Sequence, residues 1–279
     1  MFEPHCNEGL TRLCREQVGQ SKFFNLMARQ KGIIKLKGQM GGVSFYKSQQ
    51  DGFLAREKGG VDAQRIKNDP SFVRTRENGA EFGRAGAAGK LLRTAMRALL
   101  LNVADSRMTS RLTAEMVKVI QADATNTRGL RNVIDGEATL LEGFEFNLDG
   151  KLSSTFFAPF TATIDRPSGA LTIDVPAYIP GNMIGAPQGA THAKLITAAA
   201  EIDFEAGTYV VANSSTAEIV LGPQNEAAVS LANAVTPAST HPLFLAFGIE
   251  FYQQVNGAFY PLKNGFYNAL ALVKVDGGV

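Results

Sequence analysis

The sequence predicts an α+β fold: a small N-terminal β-meander plus helices, followed by an all-β sandwich. Three observations carry that expectation. Short strand-like segments lie between Ile33 and Glu57, a helix-start signal stands at Asp69-Pro70, and after Asp135 short strands alternate with turn residues. The 279 residues are 45% apolar and 19% charged, enough for one large core or two modest ones, which excludes a disordered or fibrous chain. No window approaches the roughly 18 uninterrupted apolar residues of a membrane-spanning helix. The start also lacks the basic-then-apolar layout of a secretory signal.

Residues 1–26 match the rest poorly and are expected to be a leader, with Met27 as the biological start; an ordinary flexible leader is the alternative. Both cysteines, Cys6 and Cys14, fall in this stretch. A structural disulfide within either later region is therefore impossible.

The meander comprises Ile33–Lys37, Val43–Lys47 and Phe53–Glu57, linked through Gly38–Gly42 and a turn ending Asp51-Gly52. A sheet of that size is marginal alone and must lie on something. Asp69 can cap free N–H groups and Pro70 suits a first helical turn, so a basic helix follows through Phe72, Arg76, Phe82 and Lys90 toward Leu100. It carries Gly79, Gly83, Gly86 and Gly89, each costing about 1 kcal/mol relative to alanine. Those glycines call for close backbone approach or for a break near Gly79 or Gly89. A second helix is expected from Asp105 or Ser106 to before Asn126, with Met108, Leu112, Met116, Val117 and Ile120 as its apolar stripe. A helical turn at Leu130–Ile134 closes this first region.

Beyond Asp135 the strand candidates are Leu140–Leu148, Lys151–Phe160, Thr161–Asp165, Leu171–Val175, Ala193–Phe204, Thr208–Ala212, Glu218–Leu221, Ala227–Leu231, Leu243–Val255, Ala258–Leu262 and Phe266–Val275. Asp149-Gly150, Asn256-Gly257 and Asn264-Gly265 supply turn chemistry between them. Strands at this spacing predict a sandwich or barrel, and the reading taken is a sandwich, immunoglobulin-like or fibronectin-like only in pattern. Leu243, Leu245, Phe247, Ile249 and Phe251 alternate onto one face and mark an inner wall. The expected organisation is thus a leader (1–26), a basic module (27–134) and an acidic sandwich (135–279).

Charge supports that division. The net charge is +2, yet residues 27–134 hold twenty Lys or Arg against nine Asp or Glu, and residues 135–279 hold five against fourteen. Such asymmetry points to an anionic partner, or to one region meeting the other region of a neighbour.

Catalytic and metal signatures are weak. Gly83 to Leu91 superficially resembles a phosphate-binding loop, but five residues rather than four precede Gly89-Lys90, and Leu91 stands where a Ser or Thr must bind magnesium. His5, His192 and His241 have no sequence neighbours completing a zinc site or a catalytic relay, although distance alone leaves Ser214 or Ser239 open as nucleophiles. Glu201, Asp203 and Glu205 alternate onto one face, fit for calcium or acid/base work or simply for the solvated side of an edge strand. No cofactor or metal is expected.

The most suggestive cluster is basic: Arg56, Lys58, Arg65, Lys67, Arg74, Arg76, Arg84, Lys90, Arg93 and Arg97. Phosphate backbones are attracted to such a surface, and Phe45, Tyr46, Phe53 and Phe72 could stack on bases. Glu57, Asp62, Asp69, Glu77 and Glu81 interrupt it, which favours salt-bridged helices or an acidic protein partner over a nucleic-acid groove.

The run from Lys35 to Ala95, with Thr240-His241-Pro242-Leu243-Phe244 and Pro261-Leu262-Lys263-Asn264-Gly265, resembles an uncharacterised family of bacterial hypothetical proteins similar from about Met27 onward. That resemblance implies no activity and carries no catalytic residues. The functional expectation is a non-catalytic, self-associating structural subunit, the basic module of one copy docking on the acidic sandwich of the next and building a filament or array. A nucleic-acid-associated protein is the first alternative, and a carbohydrate-acting or hydrolytic enzyme the second. The cytoplasm is the default location, with an extracellular filament or particle as the variant.

Overall fold

A computed structural model describes residues 27–49, 51–57, 60–103 and 105–278. Residues 1–26, expected to be a leader and holding both cysteines, lie outside these residues. The chain divides into two compact units between Ile66 and Lys67, so the boundary expected near Asp135 falls inside the second unit.

Among the described residues the first unit holds four strands, one more than the sequence suggests: β1 (Met27–Arg29), β2 (Gly38–Met40), β3 (Val43–Ser48) and β4 (Gly52–Glu57), antiparallel in the order β1-β4-β3-β2. The first strand expected, Ile33–Lys37, is irregular, with Ile33 and Ile34 exposed; β2 forms instead in the glycine-flanked stretch that follows. Phe45 faces Ala55 and Lys47 faces Phe53 across the β3–β4 hairpin. Among the described residues of this unit only Leu54 is buried. Long cations cover part of the aromatic surface: Lys47 Nζ lies 5.8 Å from the Phe53 ring centre, and the Arg56 guanidinium 5.5 Å from that of Tyr46. Helix α1 (Ala63–Asn68) spans the junction of the two units.

In the second unit Asp69 caps a 3₁₀ turn, Pro70–Phe72, by accepting from the Ser71 N–H at 2.9 Å. Then comes α2 (Val73–Ala95), one continuous helix through all four glycines, followed by α3 (Arg97–Leu100) and α4 (Met108–Gln121). Only Gly89 meets the expectation of close approach, since a Cβ there would lie 3.7 Å from the Leu112 and Met116 side chains. Gly79, Gly83 and Gly86 face open space.

Two expected strands are absent. Leu140–Leu148 is a 3₁₀ turn (Ala138–Leu141) and irregular chain, and Lys151–Phe160 holds the short helix α5 (Leu152–Thr155). Their apolar residues are buried all the same: Leu141, Phe144 and Phe146 join the core beneath the helices, and Leu152 and Phe156 join the core shared with the smaller sheet.

The remaining elements are β5 (Thr161–Asp165), β6 (Ala170–Val175), α6 (Pro180–Met183), β7 (His192–Asp203), β8 (Thr208–Ser215), β9 (Ile219–Val220), β10 (Val229–Ala234), β11 (Leu243–Val255), β12 (Ala258–Pro261) and β13 (Ala269–Asp276). They form a three-stranded sheet, β10-β6-β5, and a six-stranded sheet, β12-β11-β7-β8, in which β13 also pairs with β11 and β9 with β7.

The six-stranded sheet is covered on both faces. Leu195, Ala199, Leu243, Leu245, Phe247, Ile249 and Phe251 share a core with Leu171, Ile173, Val175 and Leu231 of the smaller sheet. Ile196, Ala198, Ala200, Ile202, Phe244, Ala246, Leu270 and Leu272 pack on Leu92, Met96, Leu112, Met116 and Ile120 of the helices. Two-sided burial explains the near-continuous apolar runs of β7 and β11. It also places the helices with the strands they cover rather than in an N-terminal module. The fold is therefore mixed α and β with several antiparallel sheets. Among the described residues no helix is long and apolar enough to cross a membrane.

Candidate interaction site

The ten cations singled out by sequence are divided between the two units. Arg56 and Arg65 belong to the first unit, Lys58 lies outside the described residues, and Lys67, Arg74, Arg76, Arg84, Lys90, Arg93 and Arg97 belong to the second. Several have structural partners. Arg76 Nη1 donates to the Asp69 carbonyl at 2.9 Å, and Arg84 donates through Nε to the Arg131 carbonyl at 2.6 Å and through Nη2 to that of Gly129. Arg84 thus ties α2 to the loop after α4. Glu81, buried on the same helix, completes that tie by accepting from the Gly129 N–H at 2.8 Å.

Three of the ten converge. Lys90, Arg93 and Arg97 line a groove of roughly 410 Å³ with Thr94, Leu100, Leu101 and Met108. The spacing of 3 and 4 residues puts them on one side of the α2–α3 rod. No carboxylate among the described residues forms an ion pair with any of them. Lys90 also borders a neighbouring apolar hollow of roughly 350 Å³, floored by Ala87, Ala88, Leu91, Val133, Ile134 and Phe204.

Beyond that hollow, past Ile134 and Phe204, lies a third depression of roughly 410 Å³ with acidic walls: Asp135, Glu137, Asp203 and Glu205, beside His241. Two of the carboxylates are held by the backbone or by amides. Asp203 accepts from the N–H groups of Ala206 and Glu205, both at 2.9 Å, and Asp135 from the Asn126 and Asn132 side-chain amides, both at 2.8 Å. The Ala206 N–H is the largest influence on Asp203; with the Glu205 N–H and nearby His241 it outweighs burial and keeps this carboxyl below its ordinary range. Among the described residues no Lys or Arg pairs with these four acids, and His241 Nε2 stands 3.9 Å from Asp203 Oδ2. Sequence spacing found Asp203 and Glu205. It missed Asp135 and Glu137, which come from a distant loop and become neighbours only through packing.

The row of three carboxylates does not survive as a row. β7 is flanked by β11 and β8, so it is no edge strand, and Glu201 faces inward. It accepts from Ser239 Oγ at 2.6 Å and from the Thr236 N–H at 3.1 Å, fixing the loop before β11. Burial pushes its pKa up, but these hydrogen bonds prevail and hold it below the usual value. The Ser239 hydroxyl is thereby committed to Glu201. Gly83 to Leu91 lies wholly within α2, a helix interior with no loop to cradle phosphate. Among the described residues no three His, Cys, Asp or Glu side chains converge as metal ligands. No protein family, curated protein or solved structure compared with the chain matches it.

Proposed function

We propose that the protein is a non-catalytic subunit that associates with copies of itself through unlike charged surfaces. The Lys90, Arg93 and Arg97 groove of one copy meets the Asp135, Glu137, Asp203 and Glu205 depression of the next. The observation that supports this reading is that both surfaces lie on one compact unit and neither neutralises the other. An isolated pair at a surface contributes little, about 0–1 kcal/mol, but several opposed charges around an apolar strip steer encounter and fix orientation. A head-to-tail contact of this kind does not close on itself unless the rotation happens to, and it builds filaments or large arrays. An immunoglobulin-like sandwich, supported by the core shared between the two sheets, would be the scaffold, with the helices added on its second face.

The nucleic-acid reading has less support. Arg76 and Arg84 hold backbone carbonyls, and among the described residues no aromatic side chain lines the basic groove. One experiment separates the two: light scattering after size exclusion at 50 mM and 500 mM salt, alongside retention of generic DNA. A larger assembly at low salt than at high salt, reduced to the high-salt species in a Lys90→Glu, Arg93→Glu, Arg97→Glu variant, supports the proposal. A monomer at every salt concentration with salt-sensitive DNA retention overturns it.

A further inference from the structure

We infer that β8 is an open pairing edge, and that its occupant is β8 of a second copy, running antiparallel across a two-fold axis. This contact is distinct from the charged one proposed above and does not require it.

The other edges of the six-stranded sheet are closed. The outer side of β13 is taken by residues 143–146: the Gly143 and Phe146 N–H groups donate to the Leu272 and Leu270 carbonyls, and the Leu272 N–H donates to that of Phe144. β12 has four residues and ends in Pro261, and β9 has two residues. Short strands, proline and covering segments are the usual means of blunting an edge.

None of these devices protects β8. It is eight residues long, Thr-Tyr-Val-Val-Ala-Asn-Ser-Ser, without a charge or a proline. Its register with β7 is unbroken from Thr208 to Ser215, so no bulge twists it away. Among the described residues it has no hydrogen-bonded strand on its outer side, and β10 passes nearby without bonding to it. Tyr209 and Val210 are 43% and 47% exposed. The edge strands of the smaller sheet are less suited. β5 carries Asp165 and is held by Lys274 Nζ on the Ala162 carbonyl, and β10 points only Ser230, Ala232 and Ala234 outward.

A second copy fits this edge because the edge is neutral; an identical charged strand would repel itself. In an antiparallel pair centred on Val210, that residue faces its own counterpart, Tyr209 faces Val211, and Thr208 faces Ala212. The first two are β-branched and aromatic–β-branched pairs, which are favourable across strands. Main-chain hydrogen bonds would join the two sheets into one.

The test uses the full chain at 500 mM salt, where exposed charge contacts are screened. Concentration-dependent dimerisation is expected there. Val210→Lys and Val210→Glu should each weaken it about tenfold or more. Mixing the two variants at 50 mM salt, where the Lys–Glu pair is unscreened, should give more dimer than either variant alone, because residue 210 meets residue 210, and Val210→Thr should keep the dimer at either salt concentration. Circular dichroism establishes that each variant is folded. If a variant is not, hydrogen exchange of the wild type decides: slowing at Thr208–Ser215 as concentration rises supports the inference, and unchanged exchange there overturns it. A monomer at high salt, or no rescue on mixing folded variants, also overturns it. The charged-surface proposal fails separately, by insensitivity to low salt and to the Lys90, Arg93 and Arg97 changes.

Discussion

The two largest sheets of this chain are both antiparallel, yet they differ in what covers them. The four-stranded sheet of residues 27–57 buries a single described side chain, Leu54, and relies on hairpin hydrogen bonds and on cations lying over Phe53 and Tyr46. The six-stranded sheet has an apolar layer on each face. Burial of apolar area contributes roughly 25 cal/mol per Å², whereas an exposed cation–π contact contributes about 0.5–1 kcal/mol. Stability should therefore reside almost wholly in residues 67–279, with the first sheet opening at far lower cost.

The largest effect is expected at Phe247, fully buried with its ring against Phe156 and Phe160. Phe247→Ala should remove about 3–5 kcal/mol from the urea unfolding of the second unit. Asp123 comes next. It is buried and accepts from the N–H groups of Thr125, Asn126 and Asn132 and from the Asn126 amide, knotting the loop after α4. Asp123→Ala leaves those donors without a partner and should cost about 2–3 kcal/mol.

The same residue sharpens the contrast through pH. Burial acts to raise its pKa, but the bonds from Asn126, Asn132 and Thr125 prevail and lower it to about 2. A carboxyl depressed in the folded state stabilises above its unfolded value near 3.9 and loses that contribution as pH falls toward about 2. Urea midpoints at pH 5 and pH 2.5 should diverge less in Asp123→Asn than in the wild type. In the first sheet, Leu54→Ala should cost only about 1–2 kcal/mol, below the usual range for a packed core. Hydrogen exchange of residues 43–57 would report it; a loss equal to that of Phe247→Ala would refute the contrast. Arg56→Ala, removing one stacked cation, should cost about 0.5–1 kcal/mol and leave the second unit's melting unchanged.

Much of the second unit was legible in the sequence because its signals are local. The 2-residue alternation of β11 and the helical stripe of α4 both read directly, and Asp69-Pro70 announced the turn that starts α2. What escaped was two-sided burial. Leu243, Leu245 and Phe247 were read as one wall, but Phe244, Ala246 and Gly248 between them are also enclosed, and the unbroken apolar run was the available sign that helices cover the other face. The 138–158 stretch misled for a related reason: Phe144 and Phe146 alternate like strand residues, although they are anchored through a few bonds to β13. Of the candidate site, the three grouped cations follow from helical spacing. Its acidic half depends on a long-range meeting of Asp135 with Asp203 that no local pattern encodes.

The glycines of α2 carry one more consequence. Gly79, Gly83 and Gly86 have helical geometry and room beside them, so nothing steric demands their small size. Alanine at all three should stiffen the outward half of this rod, by roughly 0.5–1 kcal/mol per position. The native chain forgoes that gain, so the front of this helix is held in place by the Arg76, Glu81 and Arg84 ties more than by its own helical preference.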